Sequence, residues 1–311
     1  MSAGTADSTD STASAAAAAA TRAHRGTIHV EDGLILQHTT AAARQYTLRI
    51  AAPRTAQHAT PGSFVHLRCA AALPMRRPLS IMRASPEAGW IEVLYKVVGT
   101  GTEALSQRRA GETLNLLGPI GHGFSWHPAR PRILAIGGGV GIPPMVFLAE
   151  RLTTDRRANW KPLVLMGSEI PFPFRARPSR VLVPAAPAEA IACMPLLDDW
   201  GVPSRLASGA GFAGCFNGYV TELAAQWLAA LSDAERAEVE IFACGPTPML
   251  AATAALARRF SLPCQVSLEE YMACAVGGCA GCAVEVQTPA GRAMKRVCVD
   301  GPVFEAHSVF R

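Results

Sequence analysis

Four cysteines near the C-terminus restrict this chain more than any other feature. Cys274, Cys279, Cys282 and Cys298 follow the spacing C-x4-C-x2-C-x15-C, and the first three fall within nine residues, Cys-Ala-Val-Gly-Gly-Cys-Ala-Gly-Cys. Thiols so closely spaced imply a backbone wrapped round a compact inorganic core. Gly277, Gly278 and Gly281, with small alanines between them, permit that wrap and let backbone N–H groups point at sulfur. The C-x4-C-x2-C…C order is that of plant-type [2Fe-2S] sites, whereas zinc ribbons use paired C-x2-C units, which this chain lacks. A structural zinc and four free buried thiols are the alternatives. Cys69, Cys193, Cys215 and Cys264 show no spacing relation and read as ordinary apolar residues.

A chain of 311 residues with 50% hydrophobic content has no need of disulfides to hold a core, so the nine cysteines do not read as a secreted framework. The formal charge is +5, but only three of the 29 basic residues are lysine, and no basic run interleaves with aromatics. Nucleic-acid binding therefore has little support. Residues 1–26 are mostly Ser, Thr, Ala, Gly and Asp with an alanine run at 15–20, and Asp7 and Asp10 precede that run where a secretory signal would carry positive charge. This stretch reads as a disordered tail. No uninterrupted apolar run approaches the roughly 18–20 residues of a membrane helix, so the expectation is a soluble, cytoplasmic protein without a membrane partner.

Residues 27–126 carry short β-like segments at 45–51, 63–68, 90–98 and 113–117, broken by Pro and Gly, with one helix-sized piece at 102–109. That rhythm predicts a small antiparallel barrel. After a Pro-rich linker at 127–131 the pattern changes to strands at 133–136, 163–166, 181–183 and 240–243, alternating with helices at 144–152, 219–231 and 247–260. Alternation of this kind predicts a parallel α/β domain over 127–264. The cysteine cluster then occupies 265–311. The expected class is α+β multidomain: antiparallel barrel, parallel α/β nucleotide-binding domain, small cluster subdomain.

Gly137, Gly138, Gly139 and Gly141, followed by Pro143 and Pro144, join an apolar strand to a helix. Glycines there allow a pyrophosphate close to the helix N-terminus, where unpaired N–H groups and the dipole attract anions. The string departs from G-x-G-x-x-G in ending on Pro144. A second turn, Cys244, Gly245 and Pro246, also links a strand end to a helix, and its small residues would admit a flat nicotinamide ring. Plain tight connections remain the alternative for both. In the barrel region Arg77, Pro78, Leu79 and Ser80 open a strand, and Tyr95 to Thr102 run from a strand into a helix through Gly99 and Gly101. An arginine clamps a pyrophosphate bidentately and a serine hydroxyl hydrogen-bonds a flavin nitrogen. A surface arginine and a simple turn explain each motif equally well when taken alone.

Together these parts resemble the ferredoxin–NADP reductase superfamily, in which an FAD-binding barrel precedes a nicotinamide-binding α/β domain. The C-terminal cluster, ending in Val-Cys-Val-Asp-Gly-Pro-Val-Phe304, makes the chain similar to the electron-transfer subunits of NAD-dependent dihydroorotate dehydrogenase from about residue 27 onward. The resemblance implies that Arg77, Pro78, Leu79, Ser80, Leu94, Tyr95, Lys96, Gly101 and Thr102 hold FAD. It implies that Gly137, Gly138, Gly139, Gly141, Pro144, Cys244, Gly245 and Pro246 meet NAD, and that Cys274, Cys279, Cys282 and Cys298 hold the cluster. It further implies an FMN-containing catalytic partner, in a complex with two copies of each subunit. Flavin subunits of sulfhydrogenases, sulfite-reducing complexes and ferredoxin:NADP oxidoreductases share much of this layout, and a non-enzymatic scaffold with structural zinc is the reading from another class. Residues 169–196 do not match the family visibly. Within them Glu169 stands where an acid favours the ribose hydroxyl of NAD, while Arg175, Arg177 and Arg180 would attract the 2′-phosphate of NADP. His122 and His127, in a Gly/Pro loop, read as solvated rather than catalytic.

Overall fold

A computed structural model describes residues 26–311, so the tail expected over 1–26 lies, apart from Gly26, outside the described residues. Six strands, β1 (His29–Ala41), β2 (Gln45–Ala51), β3 (Phe64–Leu67), β4 (Arg77–Ser85), β5 (Trp90–Lys96) and β6 (Thr113–Ile120), close into an antiparallel barrel in the order β1-β2-β5-β4-β3-β6. The period of two decides what fills it: Leu48 and Ile50 of β2, Val65 and Leu67 of β3, and Ile91, Val93 and Tyr95 of β5 share one core. The intervening residues face outward.

The second layer is a six-stranded sheet of β7 (Arg132–Gly138), β8 (Lys161–Gly167), β11 (Ser204–Ala207), β12 (Val239–Cys244), β13 (Cys264–Ser267) and β16 (Val303–Glu305), in the order β11-β8-β7-β12-β13-β16. The short strands β9 (Arg177–Pro178) and β10 (Ala192–Cys193) pair apart from it. The first five run parallel and β16 is antiparallel to β13. A parallel sheet is covered on both faces, so its strands are apolar throughout. Leu134 and Ile136 of β7 pack with helices Val220–Ala230 and Thr247–Phe260. Ile133 and Ala135 pack with helix Ile142–Thr154. That helix also lies against β4 of the barrel, where the Arg83 guanidinium donates to Glu150 at 2.9 and 2.6 Å.

One predicted strand is absent. Residues 181–183 form no strand, and β11 takes the sheet position beyond β8, with Ser204 opposite Val164. Val181-Leu-Val183 has the stronger β propensity, yet prolines at 178, 184 and 187 fence it in and Leu182 is left 88% exposed. Burial in the sheet outweighs propensity at 204–207.

The remaining C-terminal residues form a loop at 269–282, a hairpin of β14 (Ala283–Thr288) and β15 (Gly291–Arg296), and then β16. They rest on the outer face of β3 and β6, where Phe64 and Ile120 join Met272, Cys282, Val297, Cys298 and Val299 in one apolar cluster. Gly121 permits this approach: a Cβ there would lie 2.2 Å from Pro302. β13 and β16 both pair within the parallel sheet, so the chain on either side of residues 264 and 265 is continuous in structure.

Candidate functional site

The four thiols stand as two pairs. Cys282 and Cys298 are buried with their sulfurs 3.3 Å apart. Cys274 and the exposed Cys279 lie in the loop above, and the Cys279 N–H donates to the Cys274 sulfur at 3.4 Å. A further N–H, from Gly281, donates to the Cys279 sulfur at 3.4 Å. Left-handed backbone at Ala275, Gly277 and Ala280 turns these amides inward. At Gly277 a Cβ would meet Val299 at 2.5 Å, so only glycine lets the loop settle on the hairpin. Arg296 clamps it by donating to the Gly277 carbonyl at 3.0 Å. Burial raises the Cys274 thiol, but the N–H groups of Val276, Cys279 and Gly278 and the Cys279 thiol outweigh it and lower the group to about 7. Burial and the neighbouring Cys282 push Cys298 up to about 12. Among the described residues no three His, Cys, Asp or Glu groups gather to hold a single metal ion. Two thiol pairs with inward amides are a donor set that fits a two-iron cluster, one pair to each iron.

On the barrel, the structure brings together two motifs that the sequence leaves separate. The Arg77 guanidinium lies flat on Gly101, where a Cβ would sit 2.6 Å from its Nε. Its Nη1 donates to the Met75 and Arg76 carbonyls at 2.9 and 3.1 Å, while Nε and Nη2 make no hydrogen bond among the described residues. Half of the fork is thus open to an anion. Ser80 is opposite Phe64 on the outward face of β4, and its hydroxyl has no partner among the described residues. Pro78 and Leu79 lie between Arg77 and Ser80 on β4, Leu79 leaning on the barrel core. Leu94 faces the α/β domain, and Lys96, two residues on along β5, has no ion partner among the described residues.

Two side chains of the expected flavin set are otherwise engaged. Tyr95 points into the barrel, where its hydroxyl bonds His38 Nε2 at 2.9 Å and its ring stacks on Tyr46. A period of two puts it opposite to Leu94 and Lys96, leaving only its backbone on the outer face. The Thr102 hydroxyl accepts from the N–H groups of Val98 and Gly99 at 3.0 and 3.3 Å, capping its own helix.

The two nucleotide motifs also meet. Cys244 of β12 and Gly137 of β7 are parallel neighbours. A Cβ on Gly141 would lie 2.3 Å from the Cys244 carbonyl oxygen, and one on Gly138 would lie 2.5 Å from Met249 Sδ. Gly139 and Gly245 have positive φ. Pro144 is buried in the first helical turn, so its part is to start the helix rather than touch a ligand. The Cys244 thiol is wholly buried and held well above the ordinary thiol range by burial and then by the Glu269 charge. Ser267 and Glu269, at the end of β13, belong to this rim and escape the sequence reading, because residues 264–267 are not recognised there as a strand. The signal was an apolar stretch before Ser267 followed by acids. Glu269 is exposed, and the protein packed around its carboxyl raises it by desolvation.

In residues 169–196 the arginines divide. Arg177 and Arg180 are tied to Asp198 at 3.1 and 2.8 Å and to Asp199. Although burial opposes it, these partners and Ser179 hold Asp198 well below the usual carboxylate range. Arg175 and Glu169 are exposed, with no ion partner among the described residues. His127, expected to be solvated, is exposed but bonds buried Glu240 at 3.2 Å.

The family model for the iron-sulfur cluster binding domain of dihydroorotate dehydrogenase B matches residues 269–310. The electron transfer subunit of dihydroorotate dehydrogenase B (NAD(+)) from Desulforamulus reducens is 32% identical over 285 residues, 90% of this chain and 98% of that protein. The same subunit from Bacillus caldolyticus is 35% identical over 274 residues, covering 86% and 93%. Among solved structures, an NADH-dependent reduced ferredoxin-NADP oxidoreductase studied for flavin-based electron bifurcation superposes with TM-score 0.70 at 27% identity, over 89% of each chain. The ferredoxin reductase of carbazole 1,9a-dioxygenase superposes at 0.58 and 20% identity over 76% of this chain and 67% of its own, a likeness of fold alone.

Proposed function

The chain belongs to the family of dihydroorotate dehydrogenase B electron transfer subunits, and from that premise we propose that it passes electrons from the FMN of a catalytic partner through [2Fe-2S] and FAD to NAD+. The observation that carries this reading is spatial. Phe64 of β3 pairs with Ser80 of β4 and packs with Cys282 and Cys298, while Leu94 of β5 shares an apolar core with Ile142 and Cys244 beside the glycine loops.

The roles follow from the side chains. Arg77 holds the flavin pyrophosphate with its open Nε and Nη2, over the floor that Gly101 leaves free, and Ser80 offers its hydroxyl to the flavin ring. Gly137, Gly138, Gly139 and Gly141 cradle the nicotinamide nucleotide, while Cys244, Gly245 and Pro246 keep the ring's approach narrow. Cys274 with Cys279, and Cys282 with Cys298, hold the two irons. When bound, FAD exchanges hydride as an electron pair with NAD and single electrons with the cluster, which is why it belongs between them. Cys244 stays a neutral thiol and positions rather than attacks. Arg177 and Arg180 spend their charge on Asp198 and Asp199, which leaves one of the three arginines free among the described residues, Arg175, against the free Glu169, and the naming of the relatives as NAD(+) enzymes favours NAD over NADP.

The exposed Cys279 side of the cluster loop is where the FMN-containing partner would dock, in a complex with two copies of each subunit. Among the described residues no helix is long and apolar enough to cross a membrane, and we place the complex in the cytoplasm. The likeness to a ferredoxin-linked oxidoreductase supports a second reading, a diaphorase subunit of such a complex. Anaerobic purification of the native complex decides between them. Co-purification of an FMN protein that makes orotate with NAD+ is expected; a hydrogenase or ferredoxin-linked partner instead would reject the first reading.

A further inference from the structure

β3 lies between the strand carrying the flavin motif and the cluster lobe. Its residues pair with β4 as Phe64 with Ser80 and His66 with Pro78, and with β6 as Phe64 with Ile120 and His66 with Leu117. Because Val65 and Leu67 fill the barrel, Phe64 and His66 stand on the outer face beneath the lobe. Phe64 does what an apolar residue should there. His66 does not: it is 1% exposed and neither ring nitrogen makes a hydrogen bond of ordinary geometry among the described residues. An apolar side chain would fill the space without the cost of an unsatisfied buried polar group.

The surroundings of the ring give it a use. It faces the backbone carbonyls of Met272, in the cluster loop, and of Arg76. The Arg76 carbonyl also accepts from Nη1 of Arg77 at 3.1 Å, and the Arg76 guanidinium returns to the His66 carbonyl at 3.2 Å. Burial, helped by the Arg76 charge, lowers the imidazole to about 4, so at neutral pH it owns one N–H for two facing acceptors. Cluster loop, His66 and Arg77 therefore form one line of polar groups through the wall between the two cofactor sites.

From this juxtaposition we propose that His66 is a positioning residue for electron transfer, its single N–H shared between the Met272 and Arg76 carbonyls so that the cluster loop and the flavin strand are held in register. This rests on the cofactor reading above and extends it to a side chain outside all of the motifs.

The test uses the complete holoprotein as wild type, His66→Phe and His66→Asn, with FAD and iron per chain measured first. Each is reduced anaerobically with NADH, and flavin bleaching and cluster reduction are followed as separate phases alongside the cluster's EPR spectrum. Phenylalanine fills the space without a hydrogen-bonding group, and asparagine restores one. The cluster phase of His66→Phe is expected to slow by about tenfold relative to its flavin phase, with a shifted EPR signal, and His66→Asn to regain most of that rate. Equal cluster phases in wild type and His66→Phe overturn the proposal. Loss of the cluster from both variants also overturns it, since His66 would then serve packing alone. Wild-type protein that takes up no flavin or no cluster would defeat the cofactor reading itself, and this proposal with it.

Discussion

Arg77 and Gly101 test one contact from its two sides. Arg77→Ala removes a charged donor pair, and at about 1.5–3 kcal/mol for such a hydrogen bond the flavin should bind roughly ten- to a hundredfold more weakly. Gly101→Ala leaves the charge but sets a Cβ where the guanidinium now lies, 2.6 Å from Nε, and should weaken flavin binding in the same direction. Fluorescence titration of the deflavinated proteins measures both; tight flavin in either variant contradicts the clamp. The thiols carry a second prediction. Metal ligation needs thiolates and so releases protons. Near pH 8 Cys274, lowered to about 7, has already ionised, whereas Cys298, raised to about 12, has not. Beyond the protons given up by the added sulfide, anaerobic cluster assembly should therefore release at least one proton near pH 8 and more near pH 6, where Cys274 must also lose its own. A pH-stat records this, and equal release at both values would contradict the assignment.

At the scale of strands and turns, the glycine loops illustrate what sequence can convey. Gly141 has ordinary φ, so its requirement is space alone: a Cβ there meets the Cys244 carbonyl oxygen at 2.3 Å. Gly141→Ala should force the β7 and β12 loops apart and raise the KM for NADH by about tenfold or more, with FAD and iron content unchanged. Steady-state kinetics with a dye acceptor checks it, and an unchanged KM would detach the loop from the nucleotide. Both glycine motifs were legible because each is local, a strand end and a helix start within a few residues. That they touch was not legible, since the contact depends on β7 and β12 being sheet neighbours although about a hundred residues apart in sequence. The same limit hid β11, whose Ser-Arg-Leu-Ala is a strand only because β8 lies beside it. Tyr95 was placed with the flavin by its position in a motif, but its direction is set by barrel closure. His66 carried no local signal: a histidine within Phe-Val-His-Leu reads as one face of a strand until the lobe covering it is known.

For the molecule as a whole, the cluster lobe is the part least able to stand alone. Its share of the shared apolar cluster is six buried residues, Met272, Ala275, Cys282, Val297, Cys298 and Val299, and two of these are themselves proposed ligands. So small a core needs a staple, and metal binding supplies folding free energy that side-chain burial does not. The lobe's two ends are anchored unequally. β16 pairs with β13 in the large sheet, and the His122 N–H donates to the Gly301 carbonyl at 2.6 Å. The loop at 269–282 and the hairpin depend on the thiols, on Arg296 over Gly277, on the face of Phe64 and Ile120 and, for the hairpin, on the C-terminal helix Ala306–Val309 and Arg311 beside Glu285. Removing iron with a chelator should consequently loosen residues 269–296 while β16, the barrel and the flavin-holding contacts of Arg77 persist. Trypsin should then cut at Arg292, Lys295 or Arg296 at least about tenfold faster than in the iron-loaded protein, because proteolysis follows the population of the opened state. The temperature at which flavin is released should stay within a few degrees of its former value, since the barrel interior and the helix Ile142–Thr154 pack in cores distinct from the lobe's. Peptide mapping and flavin fluorescence during heating read the two responses independently. Flavin lost in step with iron would mean that the lobe supports the barrel instead of resting on it, and His66 would then be the first contact to re-examine.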